Sequence, residues 1–505
     1  MPDLNSFAVS TNTHTDDYSH AILNLDNDVL WYIFSINADM EHGTEGRIPA
    51  LFTLRYTSQV CSRWRELTIG SPSLWARILN VNLLSQTGTD WKDEVIRRTG
   101  TALLHVKALS QLYQPRWSLR RDSLKGLLKV HWSRIRRLDL EFYSRPFLVG
   151  EEPWQRLFER QAPSLEILKM MFSLPSPNIP TPTFTLSSDI TPVLRTLSVG
   201  YTGLDFSTLR TPSLRNLVIG SPVSALDLLS ALGHMPLLEV LQASRLERGL
   251  LTVGMNAPNP LPTATLHHLT TVKFHNIDGC VGSSLCILAH ITPAKGCALH
   301  FFGAYSDETP DYEQALSVLS TYLQNYTACS AATTVEIRLV PSQIIFKLDN
   351  SSFGRFSFGL DSNSTDKDIA VNLLALSSVG LGGVKILTLS LSQSDAQRPD
   401  VIKFILSLVS IEVLKADLRT LDYFLDTLLS PGIIALPALK TIYLECQWQL
   451  DRLEIVTNFI NTRIELGFPP NELTLKFGDS AEADNAREAL KVFSASGVTV
   501  TCTIT

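Results

Sequence analysis

The sequence predicts an α/β chain in which a small N-terminal helical module precedes a right-handed solenoid of parallel strands and helices. Three observations carry this. An apolar-x-x-apolar-x-apolar phrase recurs along the chain, with helically spaced apolar residues between its copies. Residues 1–50 hold eight acids against one base, Arg47, and seven of the eight tryptophans lie at or before Trp154, so the texture changes near residue 100.

Composition bounds the classes. With 505 residues, 45% hydrophobic and 18% charged, the chain can build a large core. A net charge of -6 gives no general attraction to nucleic acid or to anionic lipid. Seven cysteines suit a reducing compartment. The first twenty residues lack a signal sequence, and no apolar run approaches the ~18 residues of a membrane span. The expectation is a cytoplasmic or nuclear protein with no nucleic-acid or membrane partner.

In chain order, residues 1–20 are expected to be a disordered tail, 21–80 the helical module and 81–505 the repeat array. Asp26 or Asn27 can cap a first helix with Val29, Leu30, Ile33 and Phe34 on it. A second begins at Pro49 and carries Leu51 and Leu54; then come Val60-Cys61-Ser-Arg-Trp64-Arg65 and Ser71-Pro72-Ser-Leu74-Trp75. Helices this short bury little surface alone, so large apolar side chains should stay exposed for a partner.

The repeated phrase starts at Leu165, Leu194, Leu214, Leu238, Leu269, Val384, Ile411 and Leu439, at steps of 20 to 31 residues where adjacent. Helical spacing falls between, as in Leu226-Leu229-Leu232, Ala315-Leu319-Leu323, Ile402-Ile405-Leu406-Val409 and Leu453-Val456-Phe459-Ile460. One strand and one helix cannot bury their own faces, whereas a stack shares a core. The weakest stretch is 297–360, where Leu299-His-Phe301 and Val335-Glu-Ile337-Arg-Leu339 read as strands.

The array resembles degenerate leucine-rich repeats. It departs from them where the family carries Asn or Cys eight positions after the first Leu: Ser173, Thr202, Pro222, Leu246 and Gln447 stand there, so the ladder is missing or rebuilt from hydroxyls. The N-terminal module resembles an F-box, in particular that of mushroom-type fungal proteins, through Leu25, Val29, Leu30, Ile33 and Phe34, then Val60, Cys61, Trp64, Arg65, Leu74 and Trp75. Trp91…Ile96-Arg97-Arg98-Thr99-Gly100 resembles the segment leading into their first repeat. Asp26 replaces the usual Pro, and an acidic insert spans 39–46.

The resemblance implies a substrate receptor of a Skp–cullin–F-box ubiquitin ligase. Its partners are a Skp-family adaptor, through it a cullin ubiquitin ligase, and an unknown protein substrate. The adaptor-binding set it implies is Leu25, Val29, Leu30, Ile33, Phe34, Leu54, Val60, Cys61, Trp64, Leu74 and Trp75. The alternative is a repeat scaffold outside any ligase. Strand residues alternating with buried positions, Lys169, Met171, Asn216, Gln242, Lys273, His275, Lys415 and Tyr443, are the candidate substrate face.

No catalytic motif, metal site or cofactor is expected. Cys280, Cys286, His290, Cys297 and His300 have zinc-type side chains at spacings that fit no compact finger, so core cysteines compete with that reading. Arg116, Arg120, Arg121, Lys125, Lys129, Arg134, Arg136 and Arg137 make a basic run, read as a solvated face balancing the acidic amino terminus, with binding of an acidic or phosphorylated partner as the alternative.

Overall fold

The computed structural model describes residues 24–40, 48–84, 89–110, 117–142, 153–172, 183–246, 261–276, 281–304, 312–329, 332–340, 343–350, 354–361, 381–428, 435–446 and 453–504. The expected tail, 1–20, lies outside them, as do residues 41–46 of the acidic insert. The chain is mixed α/β with mostly parallel sheet and forms two compact units, 1–179 with 189–193, and 180–188 with 194–505.

The first unit opens with α1 (Asn27–Asn37), α2 (Ala50–Thr57), α3 (Ser62–Ile69) and α4 (Pro72–Ala76). Asp26 occupies the cap position of α1, yet its carboxylate makes no capping bond. α5 (Val81–Leu84) and α6 (Thr89–Arg98) come next. Strands β1 (Leu79–Asn80), β2 (Leu104–Ser110), β3 (Ile135–Phe142) and β4 (Ile167–Phe172) pair in sequence order, all parallel. The boundary between the two units falls after these first strands.

In the second unit, β5 (Thr183–Phe184) pairs with β7 (Gly203–Leu204), and β10 (Ala264–Leu266) with β12 (Ile291–Pro293). Its main sheet begins β6 (Thr196–Gly200), β8 (Asn216–Ile219), β9 (Val240–Ala243), β11 (Thr271–Asn276), β13 (Ala298–Ala304), all parallel. It ends β17 (Ile386–Leu391), β18 (Val413–Asp417), β19 (Thr441–Cys446), β20 (Glu472–Phe477), β21 (Thr499–Ile504), also parallel.

The join corrects an all-parallel expectation. β14 (Thr334–Val340), β15 (Gln343–Asn350) and β16 (Gly354–Asp361) form a meander in which β15 runs antiparallel to both neighbours. The spatial order is β13-β16-β15-β14-β17, because the chain passes two positions along the sheet and folds back to fill them. Phe346, Leu348, Phe356 and Phe358 are buried there, Phe358 stacked on Phe301 at 5.6 Å.

In every copy of the phrase all three apolar positions are buried, from Leu165, Leu168 and Met170 to Leu439, Ile442 and Leu444. The first position closes a turn: Leu214, Leu238, Leu269 and Leu439 each donate their N–H to the carbonyl three residues earlier, at 3.1 Å. Strands then stack with the second apolar position in register, Leu197–Leu217–Leu241–Val272 and Leu387–Leu414–Ile442–Leu473. Burial of a Leu or Ile stabilises by about 1.5–3 kcal/mol, which fixes that register.

Two helix faces differ from the sequence reading. In the helix Ala225–Leu232 the buried face is Ala225, Leu228, Leu229 and Leu232, while Leu226 is exposed; Val409 lies past the end of its helix, Pro399–Ser407, and is exposed. Three side chains bind backbone groups at the strand ends. The Asn82 amide bonds both the N–H and the C=O of Leu109, the Ser221 hydroxyl accepts from Thr202 N–H at 3.2 Å, and Thr420 accepts from Leu391 N–H at 2.9 Å.

Candidate protein-docking surfaces

The helical module is apolar on two sides of one helix. Leu30, Phe34 and Ala38 of α1 and its C-cap, spaced by four, face the module's own core. Phe34 meets the Trp64 ring edge-on at 5.0 Å. Val29, Tyr32, Ile33 and Ile36, spaced i, i+3, i+4 and i+7, form a second stripe that is 44, 63, 38 and 55% exposed. Ile48, Tyr56, Val60 and Ile69 are also exposed.

This sorts the expected adaptor-binding set. Leu30, Phe34, Leu54, Leu74 and Trp75 are buried within the first unit, so their side chains hold the module together instead of lying open to a partner. Leu25, Cys61 and Trp64 are half-buried; Val29, Ile33 and Val60 are open. Tyr32 and Ile36 were missed, although their spacing with Val29 and Ile33 was a legible signal.

Polar and ring contacts tie the module together and to α6. Arg63 donates to the Leu25 carbonyl at 2.5 Å and to Asn27 Oδ1 at 3.0 Å, fixing the start of α1 against α3. Trp75 Nε1 donates to the Thr68 carbonyl at 2.8 Å. The Arg98 guanidinium lies 4.5 Å from the Trp75 ring centre, and that of Arg55 lies 5.1 Å from Trp91. Glu94 accepts from Arg97 and Arg98, which hold its carboxyl down at about 2. Gly100 lies just beyond α6 with φ +50, a left-handed turn that suits glycine.

The exposed sheet faces carry the expected substrate residues. Lys169 and Met171 project from β4 in the first unit. Asn216, Gln242, Lys273 and His275 occupy β8, β9 and β11 of the second, and Lys415 and Tyr443 stand opposite each other on β18 and β19. The last two line a groove of about 630 Å³ with Ser390, Asp417, Glu445 and Lys476. The Lys415 ammonium lies 5.7 Å from the Tyr443 ring centre.

A row along the strand entries was not anticipated. At three places along it strand-entry residues of opposite charge meet: Arg136 pairs with Glu166, Arg215 with Glu239, and Glu412 bridges Lys385 and Lys440, while Arg195 and Thr270 interrupt the pattern. Those two lysines hold the Glu412 carboxyl at about 2. Aligning the phrases would have shown it.

The two remaining clusters disperse. Arg136 and Arg137 pair with Glu166 and Asp139, and Arg134 donates to the Ala102 carbonyl at 2.7 Å. Only Lys125 and Lys129 belong to a helix, Trp117–His131, with described side chains; Arg116, Arg120 and Arg121 lie outside that description. His290 bonds the Cys286 carbonyl and His300 the Ser357 hydroxyl, while burial pushes the Cys297 thiol up to about 12. Cys280 is outside the described residues. Among those described, no group of His, Cys, Asp or Glu converges as metal ligands, and no helix is long and apolar enough to cross a membrane. No protein-family model matches the chain, and no curated protein is significantly similar to it.

Proposed function

We propose that this protein is the substrate-recognition subunit of a Skp–cullin–F-box ubiquitin ligase: a degenerate F-box module that docks a Skp-family adaptor, carried on a leucine-rich-repeat-like solenoid that binds a protein substrate. It performs no chemistry itself. The observation that supports this best is the doubly apolar α1, whose outer stripe of Val29, Tyr32, Ile33 and Ile36 remains exposed while its inner stripe seals the module's core. A helix that seals its own core has no need of that stripe unless another protein covers it. The resemblance of the Leu25–Trp75 segment to an F-box names the partner.

The test is co-purification with a Skp-family adaptor, using wild type and Val29→Asp/Ile36→Asp. The expected result is a stable complex with wild type that the double variant abolishes while keeping its native circular dichroism. A folded wild type that binds no adaptor overturns the ligase role and leaves a repeat scaffold.

A further inference from the structure

We propose that the exposed sheet face around Lys415, Tyr443 and Lys476 docks an extended acidic segment of a partner polypeptide, with an acid-x-apolar-x-acid pattern. The inference rests on reading the sheet as the substrate-binding surface and names the substrate chemistry.

The chain carries a net charge of -6, yet the acids on this part of the face are mostly spent locally. Glu336 is held by Lys347 at 3.1 Å and Arg338 at 2.9 Å, and Asp349 by Arg355 at 2.7 Å. Asp417 accepts from the Ser390 hydroxyl at 2.9 Å and from Thr420 N–H at 2.7 Å. Among the described residues no carboxylate lies within 4.0 Å of the Lys415 or Lys476 ammonium; Lys415 has only the Tyr443 ring. Neither lysine is therefore held in an ion pair, although the Asp417 and Glu445 carboxylates line the same groove.

Strand register gives their spacing. Lys415 stands opposite Tyr443, which stands opposite Thr474; Asp417, Glu445 and Lys476 make the next row. Lys476 is thus two strands across and two residues along from Lys415, a Cα separation of about 12 Å. Side chains i, i+2 and i+4 of an extended chain share one face and span about 13 Å. Carboxylates at i and i+4 meet the two lysines, and the residue at i+2 falls near the half-exposed Tyr443 ring. Glu445, beside that midpoint, disfavours a third acid there.

The same geometry selects carboxylates over one phosphate. Phosphate recognition favours an arginine fork, and the guanidinium of Arg338 is engaged by Glu336. What remains is a pair of separated point charges.

The probe is a fluorescent Gly/Ser-flanked peptide with Glu-Ser-Leu-Ser-Glu at its centre, titrated by anisotropy against the full chain at low salt. Partner peptides carry Lys-Ser-Leu-Ser-Lys, or one central phosphoserine between Ser residues. The expected result is saturable binding of the glutamate peptide. It weakens at least tenfold in Lys415→Ala/Lys476→Ala, and Lys415→Glu/Lys476→Glu comes to prefer the lysine peptide. No saturation by about 1 mM, equal binding of the lysine peptide by wild type, or tighter binding of the phosphoserine peptide overturns it. Adaptor co-purification is run on the same variants. Loss of adaptor binding by wild type removes the ligase role alone, whereas loss of peptide binding with the adaptor retained removes the groove alone.

Discussion

Phe34 and Ile33 are consecutive residues of one helix, and replacing each separates packing from docking. Phe34 is 2% exposed and packs edge-on against Trp64 at 5.0 Å, so Phe34→Ala leaves a cavity and loses an aromatic pair. The cost is about 3–5 kcal/mol, a large fraction of a typical stability of about 5–15 kcal/mol. Ile33 is 38% exposed and faces away from that core. Ile33→Asp gives up the covered part of the side chain and costs about 1–2 kcal/mol, clearly less than Phe34→Ala. At a docked interface it removes an apolar anchor and desolvates a carboxylate, a loss of about 2 kcal/mol or more, which is roughly thirtyfold in adaptor affinity. Urea unfolding followed by tryptophan fluorescence reads the first effect, and adaptor titration calorimetry the second. The reasoning fails if Ile33→Asp shifts the urea midpoint as far as Phe34→Ala, or if a folded Ile33→Asp binds the adaptor as wild type does.

Arg98→Ala should cost about 1–2 kcal/mol in urea unfolding through loss of its stack on Trp75 and its pair with Glu94, whereas Arg97→Ala, 70% exposed, should leave the urea midpoint where it is. Arg463 is 2% exposed and donates to the carbonyls of Ala435, Leu436 and Phe468, so Arg463→Met should cost about 3 kcal/mol and Arg463→Lys only slightly less, measured the same way. Glu94 and Glu412 titrate at about 2 when folded against an ordinary 4.5, so the unfolded chain binds more protons between those values. Their contribution is complete above about pH 4.5 and lost as pH falls toward 2; Glu412→Gln should flatten that limb of a stability-versus-pH series. Burial, reinforced by Arg136, Arg137 and Arg77, holds His105 at about 4 instead of 6.5, so stability also falls from pH 6.5 toward 4, and His105→Gln should remove that part.

The strands were legible because each phrase carries three apolar residues that a pleated strand and its entry turn point inward, and no alternative structure buries all three. Of the meander only β14 was legible, as Val335-Glu-Ile337-Arg-Leu339; β15 and β16 were not, because their signal lacks the helix that a repeat search expects. Phe346 and Leu348, then Phe356 and Phe358, do alternate at period two, but antiparallel neighbours need no crossover helix between them. The apolar residues of α1 were legible as a group, and which of them stay exposed was not. A helix with apolar residues on two sides does not declare which side its own module will cover until α2 and α3 are placed against it. Alternation alone placed Lys415 and Tyr443 on the exposed face; Lys476 was not placed, because β20 lies beyond the last recognised phrase.

The fold-back of β14 to β16 changes how the second unit comes apart. In a sheet whose spatial and sequence orders agree, the terminal strand can peel away and expose the next, one after another. From the β21 edge that unzipping proceeds through β20, β19, β18 and β17 and then reaches β14, whose removal strands β15 and β16 between it and β13. In chain order the next strand after β17 is β16, held by β13 on one side and β15 on the other, so it cannot leave singly and the three strands are expected to leave as one cooperative block. In amide hydrogen exchange, β14, β15 and β16 should therefore report a single opening free energy, a step in what is otherwise a graded fraying profile.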